Sequence, residues 1–291
     1  MEPVVAAPRT DGSVVPATIV ASDGFPLAAT RFLPADASRG VVLIAPGAWF
    51  RQCEYASFAR YLARRGLEAL TWDWRGIGDS RYEAGTRDRR LSMRAWAWRD
   101  YEAMLSWGGT RAVHKPLLLV GHAFGGQALG LAPSAELVQR AVFVGAGDVS
   151  HLPAGLFRRW IRRAAWHAAI PMLTRVVGGL PLSITSNCED LPGGVARDLA
   201  RWSRSATYFG NWEGHARLAI PIRSYSFRDD LIAPPDAVQA LLSRYSRAGG
   251  QLLLLDPPPG ARRSGGHGRF FQQDALPGLW ESAADFLLSR A

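Results

Sequence analysis

The fold class this sequence predicts is α/β: a mainly parallel eight-stranded sheet with helices on both faces. Two observations predict it. Apolar, β-branched runs alternate with helix-like segments along most of the 291 residues. The runs in the middle of the chain are also continuously apolar, as expected of strands covered on both faces. A third observation sets the limits. Between about 148 and 216 the rhythm breaks, and helices, prolines, aromatics and arginines replace any convincing core strand. An insertion of that length between core strands predicts a helical lid over the strand ends. The expected division is a core at 1–147 and 217–291 and a lid at 148–216.

Each element has its own signal. "VPATIVAS" (15–22) and "PLAATRFLP" (26–34) flank "DGF" and read as a hairpin, giving the sheet an antiparallel edge. "GVVLIAPG" (40–47) is a buried strand, followed by a helix over "YASFARYLARRG" (55–66) that Gly66 closes. "LEALTWDWRG" (67–76) is the next strand, and a helix includes "WAWRDYEAMLSW" (96–107). "KPLLLVGH" (115–122) leads into a helix at "GGQALGLA" (125–132). "RAVFVGAG" (140–147), "PIRSYSF" (221–227) and "QLLLLDPP" (251–258) complete the strands, and "LWESAADFLLSR" (279–290) is an amphipathic helix.

Composition excludes several function classes. No apolar run reaches the roughly 18–20 residues needed to cross a bilayer, and "MEPVVAAPRTDGSVV" has no basic region followed by an apolar core, so no secretory signal is expected. Cys53 and Cys188 lie far apart with no metal-ligand spacing, which reads as two free thiols in a reducing compartment, the cytoplasm. The net charge of +9 raises nucleic acid as a partner. Lys115 is the single lysine, however, and the arginines are scattered. The one dense stretch, "LFRRWIRRAAW" (156–166), alternates basic and apolar residues like a solvated surface helix. Neither a nucleic acid nor a membrane is the expected partner.

The chemistry-bearing stretch is "GHAFGG" (121–126), after the strand "KPLLLV". It has the small neighbours Gly121 and Gly125 that a sharp strand-to-helix turn needs, and an alanine, Ala123, where a nucleophile would stand. Four landmarks fall in order on the right elements: "APGAW" (45–49), "DWRGIGDS" (73–80), "GHAFGG", and the pair "DDLIAP" (229–234) and "GGHGRFF" (265–271). In these the chain resembles the α/β-hydrolase superfamily over nearly its whole length. Within it, the chain is most similar to a bacterial group of predicted serine hydrolases, which share the Asp-x-Arg-Gly-x-Gly-x-Ser turn, a lid stretch like "EDLPGGVARDLARW" (189–202) and the Gly-His-Gly-x-Phe-Phe ending.

That resemblance implies a catalytic set of Ala123 at the nucleophile position, Asp230 as orienting acid and His267 as base. Asp230 is selected over Asp229 by the Asp-x-Ile-x-Pro spacing, which leaves Asp229 as a surface or turn carboxylate. The implied oxyanion donors are the N–H of Phe124 and one from the loop after the third strand, Gly47 or Ala48 with Ala48 preferred, because Pro46 has no N–H. Candidate pocket walls are Trp49 and the lid aromatics Trp160, Trp202 and Tyr208. They favour a medium-sized hydrophobic ester-like or acyl substrate. No cofactor and no metal are expected. His122 reads as a packed residue; His114, His151, His167 and His215 read as surface or lid residues; Arg75 ties down the "DWRGIGDS" turn.

Alanine has no proton to give and no lone pair, so it closes the acyl-enzyme route. Three explanations stand. Ala123 replaces a serine in an otherwise ordinary ester or thioester hydrolase. Alternatively, the alanine is natural and the His–Asp pair works without a nucleophile, as in a lyase, cyclase, isomerase or cofactor-free oxygenase. Or the protein binds a small ligand without chemistry.

Overall fold

The computed structural model describes residues 12–81, 90–148, 170–182, 189–203, 205, 209, 214–257, 266–272 and 278–289. Its centre is an eight-stranded sheet. The hairpin β1 (Val14–Val20) and β2 (Pro26–Phe32) is antiparallel in register from Val14 opposite Phe32 to Val20 opposite Pro26. β2 also runs antiparallel to β4 (Glu68–Trp72). From β4 onward the sheet is parallel through β3 (Val41–Ala45), β5 (Leu117–His122), β6 (Arg140–Val144), β9 (Pro221–Phe227) and β10 (Gly249–Leu255).

The central strands β3, β4, β5 and β6 are buried along their whole length. Their alternate side chains feed two cores. Val41, Leu43, Leu119 and Phe143 point to one, with Met104 and Leu105 of the helix Tyr101–Arg111; Val42, Ile44, Val120 and Val144 point to the other, with Phe58 and Leu62 of α1 (Ala56–Arg64) and Leu287 of the helix Leu279–Leu288. A strand buried on both faces has no polar side to display, which is why these runs are mainly apolar, with Glu68, Thr71, His122 and Arg140 as buried exceptions.

β4 lies on one side of β3 and β5 on the other. The connections after β3 and β5 therefore leave in opposite directions, and the ends of the two strands frame a crevice. Ala45 pairs with Gly121 at that point.

Two elements differ from expectation. The helix expected over 96–107 begins with one turn at Met93–Ala95, widens to a π-turn at Trp96–Asp100, where the Tyr101 N–H reaches the Trp96 carbonyl, and continues as an α-helix over Tyr101–Arg111. The turn carries Asp100 and Trp96 to one target. Asp100 takes the Arg75 guanidinium at 2.6 Å, and the Trp96 indole N–H donates to the Arg75 carbonyl at 3.0 Å. Arg75 is fully buried, and its other side meets Asp23 of the hairpin turn at 2.7 Å. The helix expected over 125–132 is shorter, Phe124–Ala128 followed by a 3-10 turn at Leu129–Leu131.

Within the expected lid, the described residues form the helix Ile170–Val176, a two-residue ladder pairing β7 (Gly179–Leu180) with β8 (Leu191–Pro192), and the helix Gly193–Trp202. This ladder is separate from the main sheet. The surface helix expected at 156–166 lies outside the described residues.

Candidate active site

The turn after β5 is shaped by exclusion. A Cβ on Gly121 would lie 2.6 Å from the Gly126 backbone, and one on Gly125 would lie 2.2 Å from the Ala45 carbonyl oxygen. Strand and helix approach too closely there for any side chain. Between them Ala123 adopts φ 46° and ψ −111°, a region that costs a non-glycine residue about 1–3 kcal/mol. Its N–H donates to the Val144 carbonyl at 2.9 Å, and its own carbonyl accepts from Gly126 and Gln127. Phe124, at the first helical position, has no intrahelical acceptor for its N–H.

Asp230 follows β9. Its Oδ1 accepts the backbone N–H groups of Ile232 at 2.8 Å and Ala233 at 3.0 Å, and its Oδ2 accepts from His267 Nδ1 at 2.8 Å. Burial pushes the Asp230 carboxyl up, but the His267 bond and the two amides outweigh it and hold the group below the usual carboxylate range. A carboxylate can only accept, so His267 carries a hydrogen on Nδ1, and the neutral form of the ring presents a bare Nε2. That nitrogen is buried and has no hydrogen-bond partner among the described residues. Gly145 supports the pair from below. At φ +53°, a Cβ there would come within 3.2 Å of both Asp230 Oδ2 and His267 Nδ1.

Opposite lies the loop after β3. Pro46 has no N–H, and the Gly47 N–H is taken by the Tyr55 hydroxyl at 2.9 Å. Of the candidate donors in that loop this leaves Ala48. Ala48, Ala123, Phe124 and His267 all line one cleft of ≈ 370 Å³ of empty space, including the part open to solvent. Trp49, Met93, Leu199 and Ile232 supply its apolar walls.

A profile of the family described as serine aminopeptidase, S33, matches residues 36–193, more than half of the chain. The chain belongs to this family of α/β-hydrolases. Solved structures share the fold at low identity. A carboxyl esterase of Bacillus coagulans in complex with glycerol is 13% identical, covers 94% of this chain and 97% of its own, and has a TM-score of 0.65. A soluble variant of the monoglyceride lipase of Saccharomyces cerevisiae, bound to a substrate analogue, is 15% identical with coverages of 95% and 93% and a TM-score of 0.67. A serine hydrolase of Xanthomonas campestris described as having no lid is 14% identical, with coverages of 98% and 100% and a TM-score of 0.55. No curated protein matches the sequence significantly.

In this α/β-hydrolase the other expected residues fall as follows. Trp49 lies on the cleft, its ring 6.1 Å from that of His267. Trp202 does not line it; the indole is buried behind Phe124, ring centroids 6.4 Å apart, and packs edge-on against Phe209 at 5.4 Å. Trp160 and Tyr208 lie outside the described residues, as do His151, His167 and Cys188. His114 and Cys53 are exposed.

Two readings are narrowed. Asp229, expected as a surface or turn carboxylate, does lie in a turn but not at the surface: it forms a two-pronged ion pair with Arg269 at 2.9 and 2.8 Å, both side chains largely buried. His215, expected as a surface or lid residue, is buried. It stacks on Phe209 at 4.7 Å, its Nε2 bonds to the Gln127 carbonyl at 3.0 Å, and burial drives its imidazole down to about 4. Sequence reasoning also passed over Gly145, Met93 and Tyr55. For Gly145 the signal was present, a glycine directly after the buried run "AVFV". Among the described residues no cluster of three His, Cys, Asp or Glu side chains is placed to hold a metal, and no helix is long and apolar enough to cross a membrane.

Proposed function

We propose that the cleft is that of an acyl hydrolase for a medium-sized hydrophobic ester or thioester, lacking its attacking hydroxyl because alanine occupies position 123. The observation that carries this reading is the pairing of an elbow-type backbone at Ala123 (φ 46°, ψ −111°) with a buried His267–Asp230 contact of 2.8 Å on the same cleft. In the full reaction a hydroxyl at 123 attacks the acyl carbon while His267 Nε2 takes its proton. Asp230 stabilises the imidazolium, and the Phe124 and Ala48 N–H groups receive the oxyanion. His267 then returns the proton to the leaving alcohol or thiol and activates water for deacylation. Leu199, on the helix Gly193–Trp202, reaches the cleft wall, which supports residues 148–216 as a lid over it. As the chain stands, it binds such acyl compounds without forming an acyl-enzyme.

The bare, buried His267 Nε2 favours a second reading, proton abstraction from a bound substrate with no covalent step. One experiment separates the two. The Ala123→Ser protein and the given protein are compared on short and medium-chain p-nitrophenyl esters, following burst and steady-state release. The hydrolase reading expects a burst and a rate on the order of 10³-fold or more above the given chain. Silence from a folded Ala123→Ser protein across that ester series overturns it and leaves the proton-abstraction reading.

A further inference from the structure

The two sides of the cleft are joined beneath its floor by three buried hydrogen bonds. The Gly47 N–H meets Tyr55 Oη at 2.9 Å, Tyr55 Oη meets His122 Nδ1 at 2.7 Å, and His122 Nε2 meets the His267 carbonyl oxygen at 2.9 Å. Tyr55 and His122 are both fully buried. The polarity of the chain follows from its ends. A carbonyl only accepts, so His122 carries hydrogen on Nε2. A neutral imidazole has one N–H, so its Nδ1 is bare and the Tyr55 hydroxyl must donate to it. That same hydroxyl oxygen is then free to accept from Gly47. Tyr55 and His122 each donate once and accept once, and with a neutral ring no other proton arrangement satisfies all three bonds.

The arrangement depends on a neutral His122. Burial, with the His267 ring 5.0 Å away, pushes its imidazole down to about 3. Phe50 and Phe271 close around it edge-on at 4.5 and 5.0 Å. The fit is tight enough that a Cβ on Gly47 would lie 3.2 Å from His122 Nδ1 and 2.8 Å from Phe50.

We infer that Tyr55 and His122 are positioning residues, a polar tether that sets the separation between the oxyanion-donor loop (Gly47–Ala48) and the backbone of the base, His267. Neither side chain lines the cleft; they act through the two segments they join. The tether also removes Gly47 from the donor set, because its N–H is turned to Tyr55. The inference rests on the hydrolase-type reading of the cleft, and its first test does not.

That test is the tautomer of His122 in the unaltered protein, read from the imidazole ¹⁵N resonances between pH 5 and 8. The tether requires an Nε2-protonated, non-titrating ring throughout. An Nδ1-protonated ring, or one that titrates in that range, overturns the proposal whatever the protein catalyses. The second test uses the Ala123→Ser protein, provided it hydrolyses esters. There Tyr55→Phe is expected to lower kcat about tenfold, the worth of one hydrogen bond, with KM changed less than twofold. His122→Gln, whose amide can still donate to the His267 carbonyl, is expected to retain more activity than His122→Phe. Equal losses in the Gln and Phe variants, or a loss confined to KM, would show a packing role and sink the tether.

Discussion

The elbow around Ala123 and the segment carrying His267 face each other across the cleft, and they are held in opposite ways. The elbow is set mainly by what is missing: Gly121 and Gly125 let two backbones meet where a single Cβ would collide. The His267 segment is set by what is added: the Asp230 bond, the His122 donor to its carbonyl and the Asp229–Arg269 ion pair two residues further on. A frame held by exclusion is indifferent to the side chain at its apex, so Ala123 sits in the elbow conformation as a serine would. A frame held by polar bonds depends on each partner. A change of side chain at the apex can therefore leave the architecture intact, whereas loss of one polar bond shifts the His267 segment.

The most severe way to break the elbow is Gly125→Ala, whose Cβ would lie 2.2 Å from the Ala45 carbonyl oxygen. Denaturant unfolding should show a loss of about 3 kcal/mol or more; an unchanged midpoint would mean that close packing does not hold this turn. On the opposite segment, Arg269→Met leaves Asp229 charged and largely buried, at an expected cost of about 3 kcal/mol. The double variant Asp229→Asn with Arg269→Met should recover part of that loss, a coupling that purely steric damage would not produce.

Acid should act on the polar framework next. His122 and His215 are buried neutral, with folded values near 3 and 4 against an unfolded value of 6.5. Between those limits the unfolded chain binds more protons than the folded one. Stability is therefore full above pH 6.5 and falls as the pH drops toward 4, by about 1–2 kcal/mol per histidine at pH 5. Thermal melts between pH 7 and 4.5 would show the slope, and His215→Phe should flatten part of it. The smallest effect expected is at the apex. Ala123→Gly relieves the positive φ but gives the unfolded chain more freedom, for a net gain of about 1 kcal/mol in urea unfolding. A loss instead would show that Ala123 is not strained there.

The fold was legible because the central strands announce themselves: β3, β4, β5 and β6 are buried on both faces, and their sequence is apolar apart from Glu68, Thr71, His122 and Arg140. β10 shows the limit of that signal. Its "LLLL" reads like a central strand, yet among the described residues it pairs with β9 alone, and Leu254 is 42% exposed. The cleft was legible where ordered motifs mark it, and the structure brings Ala123, Phe124, Ala48 and His267 to it, with Asp230 behind His267. What escaped were contacts between residues remote in sequence. Tyr55 with His122, and Asp229 with Arg269, are pairs of ordinary residue types with no periodicity to betray them. The π-turn escaped for a related reason: one widened turn leaves the surrounding hydrophobic pattern as it was.

The buried Arg75 has a consequence in time as well as in space. Its guanidinium is shared between Asp23, in the turn of the first hairpin, and Asp100, in the π-turn. As the chain is synthesised, strands β1 and β2 emerge before the arginine that anchors their turn, which comes 52 residues after Asp23 and keeps one side of its guanidinium unpaired until Asp100 follows. Until then the hairpin edge is provisional, since two strands alone are marginal in water. Closing these long loops delays its commitment. The edge of the sheet nearest the start of the sequence is thus made permanent by the middle of the chain, and an Arg75→Leu protein should reveal this as slower refolding of the hairpin amides in pulse-labelled hydrogen exchange.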